Sequence, residues 1–100
     1  MSSSIDYLNF ILEQLRDIND ISFKKMMGEY LLYIDGILVG GIYDNRVLIK
    51  KTKSNEEYNL TEELPYQGAK MMWMVSDVDD KDIFEKQIIN VYKDLKNNLK

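Results

Sequence analysis

The sequence predicts an α+β domain, a two-layer sandwich in which helices pack on one face of an antiparallel sheet. Apolar residues alternate along residues 24–51 on both sides of an Asp35-Gly36 turn, which is typical of a β-hairpin. Residues 4–17 and the chain from Asp79 onward instead place apolar residues three and four positions apart, as amphipathic helices do. Because strands and helices do not alternate regularly, an antiparallel sheet is favoured over a parallel one.

Chain length and composition predict a single domain that spans residues 1–100. One hundred residues suffice for one hydrophobic core but not for two. The apolar fraction of 45% and the charged fraction of 30% are those of a globular protein and exclude a disordered chain.

The charge and the missing residue types exclude several functions. A net charge of −4 disfavours binding to nucleic acid or to anionic membranes. Because the chain has no histidine and no cysteine, Ser-His and Cys-His nucleophilic sites and ordinary zinc sites are excluded. We therefore expect no enzyme, no catalytic residues, no cofactor and no metal. A chain without a signal peptide or a membrane-spanning apolar run is expected in the cytoplasm.

The first helix is predicted over residues 4–17. Ser3 and Asp6 have the spacing of a capping box, which would satisfy the free amides of the first turn. The predicted buried face of this helix comprises Ile5, Leu8, Ile11, Leu12, Leu15 and Ile18.

Three or four strands are predicted between residues 21 and 50. Residues 21–27 contain two lysines, which suits the edge of a sheet, and Gly28 permits a change of direction. Asp35-Gly36 accepts the positive φ angles of a type I′ turn. A second reversal is predicted at Asp44-Asn45.

Uninterrupted alternation across the Asp35-Gly36 turn would place Leu32 opposite Val39 and would sort the side chains onto two faces. The face predicted to lie under the helices carries Leu31, Tyr33, Leu38, Gly40, Ile42, Val47 and Ile49, with Gly40 allowing a helix to approach closely. The second face carries Tyr30, Leu32, Ile34, Ile37, Val39, Gly41, Tyr43, Arg46, Leu48 and Lys50.

The second face is too apolar to remain open in a monomer. We expect a protein partner, a second copy in a homodimer, or another part of the chain to cover it. The predicted partner-binding residues are Tyr30, Leu32, Val39, Tyr43, Leu48 and Lys50.

The C-terminal half is predicted to contain a short helix, a loop, a strand and a long helix. Ser54 and Glu57 have capping-box spacing at the short helix. Residues 61–68 are predicted to be a loop, and residues 71–75 a buried strand. The last helix is predicted from Asp79 to the end of the sequence at Lys100. Acidic residues near its start and lysines near its end interact favourably with the helix dipole.

Several short motifs follow one another along residues 5–95. Residues 25–36 fit the pattern K-M-x-G-x-Y-x-L-Y-x-D-G, residues 42–45 form an I-x-D-N turn, and Lys50 ends a strand. Residues 66–70 and the acidic residues 77–80 complete the series. The order and spacing of these motifs resemble the N-terminal domain of the TfoX/Sxy family.

This resemblance implies a fold like that of YgaC and the secretion chaperones, in the order α-β-β-β-α-β-β-α. The residues alone give the order α-β-β-β-α-β-α, so the resemblance implies one additional strand. This strand would lie between residues 61 and 68, or the segment at Met71 would be longer or broken into two. It also implies competence or transcription regulation through protein contacts rather than catalysis. Full-length competence regulators carry a second domain, so a chain ending at Lys100 is expected to be a stand-alone module.

Three groups of side chains have both a functional and a structural interpretation. The acidic run Asp77, Asp79, Asp80 and Asp82 lacks the spacing of a calcium loop and is better explained as a helix start. Basic residues at strand ends would support weak nucleic-acid binding if they clustered, but solvated strand ends are favoured; these residues are Lys24, Lys25, Arg46, Lys50, Lys51 and Lys53. For the tyrosines, Trp73 and the methionines, core packing is favoured over a ligand groove or an adaptable partner surface; the residues concerned are Tyr30, Tyr33, Tyr43, Met26, Met27, Met71, Met72 and Met74.

The sequence therefore favours a non-catalytic regulatory or adaptor module. Weak direct nucleic-acid binding is the alternative. An enzyme is the least favoured reading and would need a pocket beside Glu29, Tyr33, Asp35 or Lys50.

Overall fold

The computed structural model describes residues 3–58 and 60–98, in which one six-stranded antiparallel sheet carries two α-helices. The elements in chain order are α1 (Ile5–Gln14), β1 (Ile21–Met26), β2 (Glu29–Ile34), β3 (Ile37–Tyr43), β4 (Arg46–Ile49), a 3₁₀ helix (Lys53–Tyr58), β5 (Thr61–Glu63), β6 (Met72–Met74) and α2 (Lys81–Asn98). The strands lie side by side in the order β1-β2-β3-β4-β6-β5. The predicted α+β class is confirmed, and the additional strand is β5, within the segment that spacing alone predicted to be a loop.

Three two-residue turns connect β1 to β4 as consecutive hairpins. Both residues of each turn have positive φ angles: 52° and 86° at Met27-Gly28, 51° and 77° at Asp35-Gly36, and 53° and 55° at Asp44-Asn45. Turns of this kind match the right-handed twist of the flanking strands. The reversals predicted at Asp35-Gly36 and Asp44-Asn45 are confirmed, as is the position of β1 at the sheet edge.

A β-bulge changes the pairing between β2 and β3. The pairs next to the turn are the predicted ones, with Tyr33 opposite Leu38, but Leu32 then faces Gly40 instead of Val39. Val39 is the extra residue. A shift of one residue exchanges the two faces of a strand, so the predicted sorting of β2 onto faces is wrong.

The hydrophobic core lies between one face of the sheet and the two α-helices. The sheet contributes Tyr30, Leu32, Ile34, Val39, Ile42, Val47 and Ile49, and the helices contribute Leu8, Ile11, Phe84, Ile88 and Val91. Tyr30, Leu32 and Val39 were predicted on the second face but are at most 6% exposed within this core. Leu31, Tyr33 and Leu38 were predicted under the helices, and they are instead half-buried on the second face.

Gly40 permits a close approach, but to a strand and not to a helix. A Cβ atom added there would lie 2.2 Å from the carbonyl oxygen of Leu48 and 3.0 Å from the Cα atom of Ile49. Both atoms belong to the backbone of β4. The prediction that Gly40 admits a helix is therefore wrong.

Two predicted capping boxes are replaced by other contacts. Ser4 caps α1 by accepting a hydrogen bond from the N–H of Tyr7 at 3.1 Å, while the hydroxyl of Ser3 donates to Glu29 at 2.7 Å. The hydroxyl of Ser54 donates a hydrogen bond to Asp94 of α2 at 2.8 Å and does not form a capping box with Glu57.

The acidic start of α2 has the predicted structural role. Asp80 accepts a hydrogen bond from the N–H of Ile83 at 3.1 Å. The predicted continuation of this helix through Leu99 and Lys100 lies outside the described residues. Neither α1 nor α2, as far as the structure describes them, is long and apolar enough to cross a membrane.

Candidate binding groove

An open groove of about 630 Å³ lies on the second face of the sheet, the face opposite the helices. Leu38, Tyr43 and Lys50 line its sheet side. Residues 64–71, which we call the covering segment, line the other side through Pro65, Tyr66 and Lys70, among others.

The path of the covering segment follows from the β5–β6 hairpin. The strands pair tightly, with Glu63 opposite Met72, so the eight residues between them must form a large loop. The N–H of Ala69 donates to the carbonyl of Tyr66 at 3.1 Å, and Gly68 has a φ of 91° in this turn. The loop thus folds onto the sheet and places Tyr66 across from Tyr43.

Two tyrosines form an aromatic wall of the groove. The ring centroids of Tyr43 and Tyr66 are 6.4 Å apart, and the rings are tilted by 49°. The ring of Tyr43 packs above Gly41, where an added Cβ would lie only 2.7 Å from the ring. Burial, aided by Tyr66, Glu29 and Tyr33, raises the pKa of Tyr43.

Three lysines, Lys50, Lys51 and Lys70, give the groove a positive lining. Lys51 forms an ion pair with Glu62 and lies 4.3 Å from the centre of the Trp73 ring. Within residues 3–58 and 60–98, neither Lys50 nor Lys70 has a carboxylate oxygen within 4.0 Å. These two ammonium groups can therefore meet an anionic ligand without first breaking an ion pair.

The groove contains two of the six predicted partner-binding residues, Tyr43 and Lys50. Tyr30, Leu32 and Val39 lie in the helix-covered core, and Leu48 is fully buried on the second face. Prediction from the residues missed Tyr66 and Lys70. Their only signal was the family motif at residues 66–70, because strand alternation says nothing about where a loop lies.

The structure does not gather the basic residues into one patch. Lys24 and Lys25 lie on β1, whereas Lys50 and Lys51 follow β4, three strands or about 14 Å away. Arg46 is engaged in an ion pair with Glu63. The arrangement therefore lacks the continuous basic stripe of a nucleic-acid surface.

The residues considered for an enzyme or a metal site are dispersed or occupied by structural contacts. Glu29 accepts hydrogen bonds from Ser3 and from the N–H of Asp44, and Asp35 accepts one from the hydroxyl of Tyr92. Of the four residues proposed to flank an enzyme pocket, only Lys50 lines the groove. No group of three carboxylates suited to hold a metal occurs among the described residues.

Comparisons with known proteins identify the family. The family model of the TfoX N-terminal domain matches residues 13–85. A Spirochaeta aurantia protein, described as an uncharacterized 12.7 kDa protein in the trpE 5′ region, is 36% identical over 80 residues, covering 78% of this chain and 70% of the relative. The matched region extends from α1 into α2 and includes every strand of the sheet. This chain therefore belongs to the TfoX N-terminal domain family.

Proposed function

We propose that this domain is a non-catalytic regulatory or adaptor module that contacts other proteins through the second face of its sheet. The observation that carries the proposal is the exposure of large apolar side chains on the covering segment. Leu64, Tyr66 and Met71 are 41%, 57% and 43% exposed. Clustered exposed apolar side chains are typical of interaction sites.

The sheet next to the covering segment extends this surface. Leu31, Tyr33 and Leu38 are only half-buried, and they lie on the face that the helices do not cover. A partner that docks here would bury these side chains together with those of the covering segment. Burial of apolar area drives most protein association.

The chemistry of the side chains supports a role without catalysis. The sequence has no histidine or cysteine, and burial raises the pKa of Tyr43, which makes this phenol a weaker acid than usual. Glu29 is occupied by structural hydrogen bonds. The family's connection with competence regulators extends the proposal to transcription control in the cytoplasm. The partner is a second protein or a second copy of this chain.

Photocrosslinking in cells tests this proposal. A photoreactive phenylalanine analogue replaces Tyr66 in one variant and Phe10 of α1 in the control, because both side chains are exposed and α1 packs on the opposite face. We expect a covalent protein adduct from position 66 only, with a mass that distinguishes a homodimer from a heterologous complex. No adduct from position 66, or equal adducts from both positions, would contradict the proposal.

A further inference from the structure

We propose that the groove binds a small organic anion, a molecule with a flat apolar body and one or two carboxylate, sulfonate or phosphate groups. The groove volume of about 630 Å³ lies within the range of small-molecule sites, about 300–1,000 Å³. This inference goes beyond the adaptor role and does not depend on it.

The walls of the groove determine the body of the ligand. Tyr66 is 57% exposed and presents an aromatic surface, which the nearly buried ring of Tyr43 supports from beneath, and Leu38 and Met72 add aliphatic surface. Aromatic rings favour offset or tilted stacking with other flat groups. The methionine side chain adapts its shape to irregular ligands. A flat apolar group on the ligand would therefore stack on Tyr66 and contact Leu38 and Met72 in the open groove.

The charges determine the polar part of the ligand. Lys50 and Lys70 line the groove and form no ion pair with a described carboxylate. Hydrogen bonds between an ammonium group and an anionic oxygen are stronger than those between neutral groups. One or two anionic groups on the ligand would meet these donors.

The surroundings of the groove favour a small anion over a long polyanion. Glu62 and Glu63 lie on β5 beside the groove, where they hold Lys51 and Arg46 in ion pairs. The whole chain also carries a net charge of −4. A nucleic acid or a strongly acidic peptide would place further negative charges against these carboxylates. A compact ligand with few charges avoids that repulsion.

Methyl NMR of the full chain, labelled at its methionines, tests the inference. The probes are 8-anilino-1-naphthalenesulfonate and its neutral analogue N-phenyl-1-naphthylamine, which differ by the sulfonate. We expect the sulfonate probe to shift the methyl signals of Met71 and Met72 and to leave that of Met27, at the far hairpin turn, unchanged. The neutral analogue should bind about fivefold more weakly, the upper end of the effect of one charge contact at a partly exposed site.

Charge-removing variants make the test specific. Lys50→Gln and Lys70→Gln should each weaken binding of the sulfonate probe about fivefold, whereas Lys86→Gln, on the exposed face of α2, should not change it. Equal binding of both probes, unaffected by these variants, would overturn the proposal because it would show a merely apolar surface. Tighter binding of hexaglutamate than of the sulfonate probe would also overturn it, in favour of an acidic protein segment.

Discussion

Replacing Gly40 by alanine tests the β-bulge that decides which residues face the helices. The added Cβ would lie 2.2 Å from the carbonyl oxygen of Leu48 and 3.0 Å from the Cα atom of Ile49. Side-chain rotation cannot relieve these contacts because both atoms belong to the backbone. Either β3 and β4 must separate, or the bulge must move along β3.

The expected loss of stability follows from these contacts. Overpacking a core costs about 1–3 kcal/mol, and a clash with backbone belongs at the upper end of that range. Separation of the strands would also weaken the neighbouring hydrogen bond from Lys50 N–H to the Val39 carbonyl, which is 3.0 Å long. Such a bond contributes about 1 kcal/mol. We therefore expect Gly40→Ala to lower the free energy of unfolding by about 3–4 kcal/mol, the sum of these two effects.

Urea unfolding followed by the fluorescence of Trp73, the single tryptophan, measures this loss. Gly36→Ala is the control, because a Cβ there meets no atom within 4 Å and the cost is only that of a φ of 77°. That cost is about 1–2 kcal/mol, partly offset by the reduced entropy of the unfolded chain. With a slope of about 1.5 kcal/mol per molar urea, the midpoint should fall by about 2 M for Gly40→Ala and by less than about 1 M for the control. Equal midpoints for the two variants would refute the bulged register.

Three further predictions concern single side chains. Glu29→Gln should lower the free energy of unfolding by about 1–2 kcal/mol, measured by thermal unfolding, because its amide group would face hydrogen-bond donors. The hydroxyls of Thr52 and Ser54, with the N–H of Ser54, hold the pKa of Asp94 below its usual 3.8. The ionised carboxylate of Asp94 should therefore stabilise the fold above pH 3.8, and this stabilisation should be lost as the pH falls through the lower folded-state pKa. In acid unfolding experiments, Asp94→Asn should reduce this loss of stability. Because burial raises the pKa of Tyr43 above 10.0, its ionisation should destabilise the fold as the pH rises past that value, and Tyr43→Phe should reduce the loss in alkaline unfolding experiments.

The turns were predictable because their signals are local. Asp-Gly and Asp-Asn carry in themselves the tolerance for positive φ that a two-residue hairpin turn requires. The lysines of β1 likewise indicate an edge strand by their own chemistry. Helix periodicity located α1 and α2 for the same reason, since residues three and four apart share a helix face without any tertiary contact.

The two faces of the sheet were not predictable because the bulge depends on a contact between strands. Residues 37–43 contain no polar side chain except the Tyr43 hydroxyl, so residue type assigns no faces within β3, and the two glycines after Val39 permit a bulge without fixing which residue is the extra one. The register also involves β4, whose backbone lies so close to Gly40 that it leaves no room for a Cβ atom there. The residue types within β3 carry no information about the distance between the backbones of β3 and β4.

The groove was half predictable for a similar reason. Tyr43 and Lys50 follow from the strand pattern, because they belong to the hairpins whose turns the sequence marks. Tyr66 and Lys70 lie on the covering segment, and their position depends on how a loop of eight residues folds onto the sheet. The family resemblance at residues 66–70 draws attention to this segment, but it gives no position for the segment in space.

A comparison of Tyr66→Ala with Phe84→Ala separates binding, which we assign to the second face of the sheet, from stability, which depends on the face that the helices cover. Tyr66 is 57% exposed, so its truncation should change the free energy of unfolding by less than about 0.5 kcal/mol. Phe84 of α2 is fully buried in the core under the sheet, and its truncation should cost about 3–5 kcal/mol.

Binding should follow the opposite order, because Tyr66 lines the groove and Phe84 does not. We expect Tyr66→Ala to weaken binding of the sulfonate probe, while Phe84→Ala, measured where it remains folded, keeps it. The reverse pattern of affinities would place the binding surface on the helix side and contradict the assignment of function to the second face.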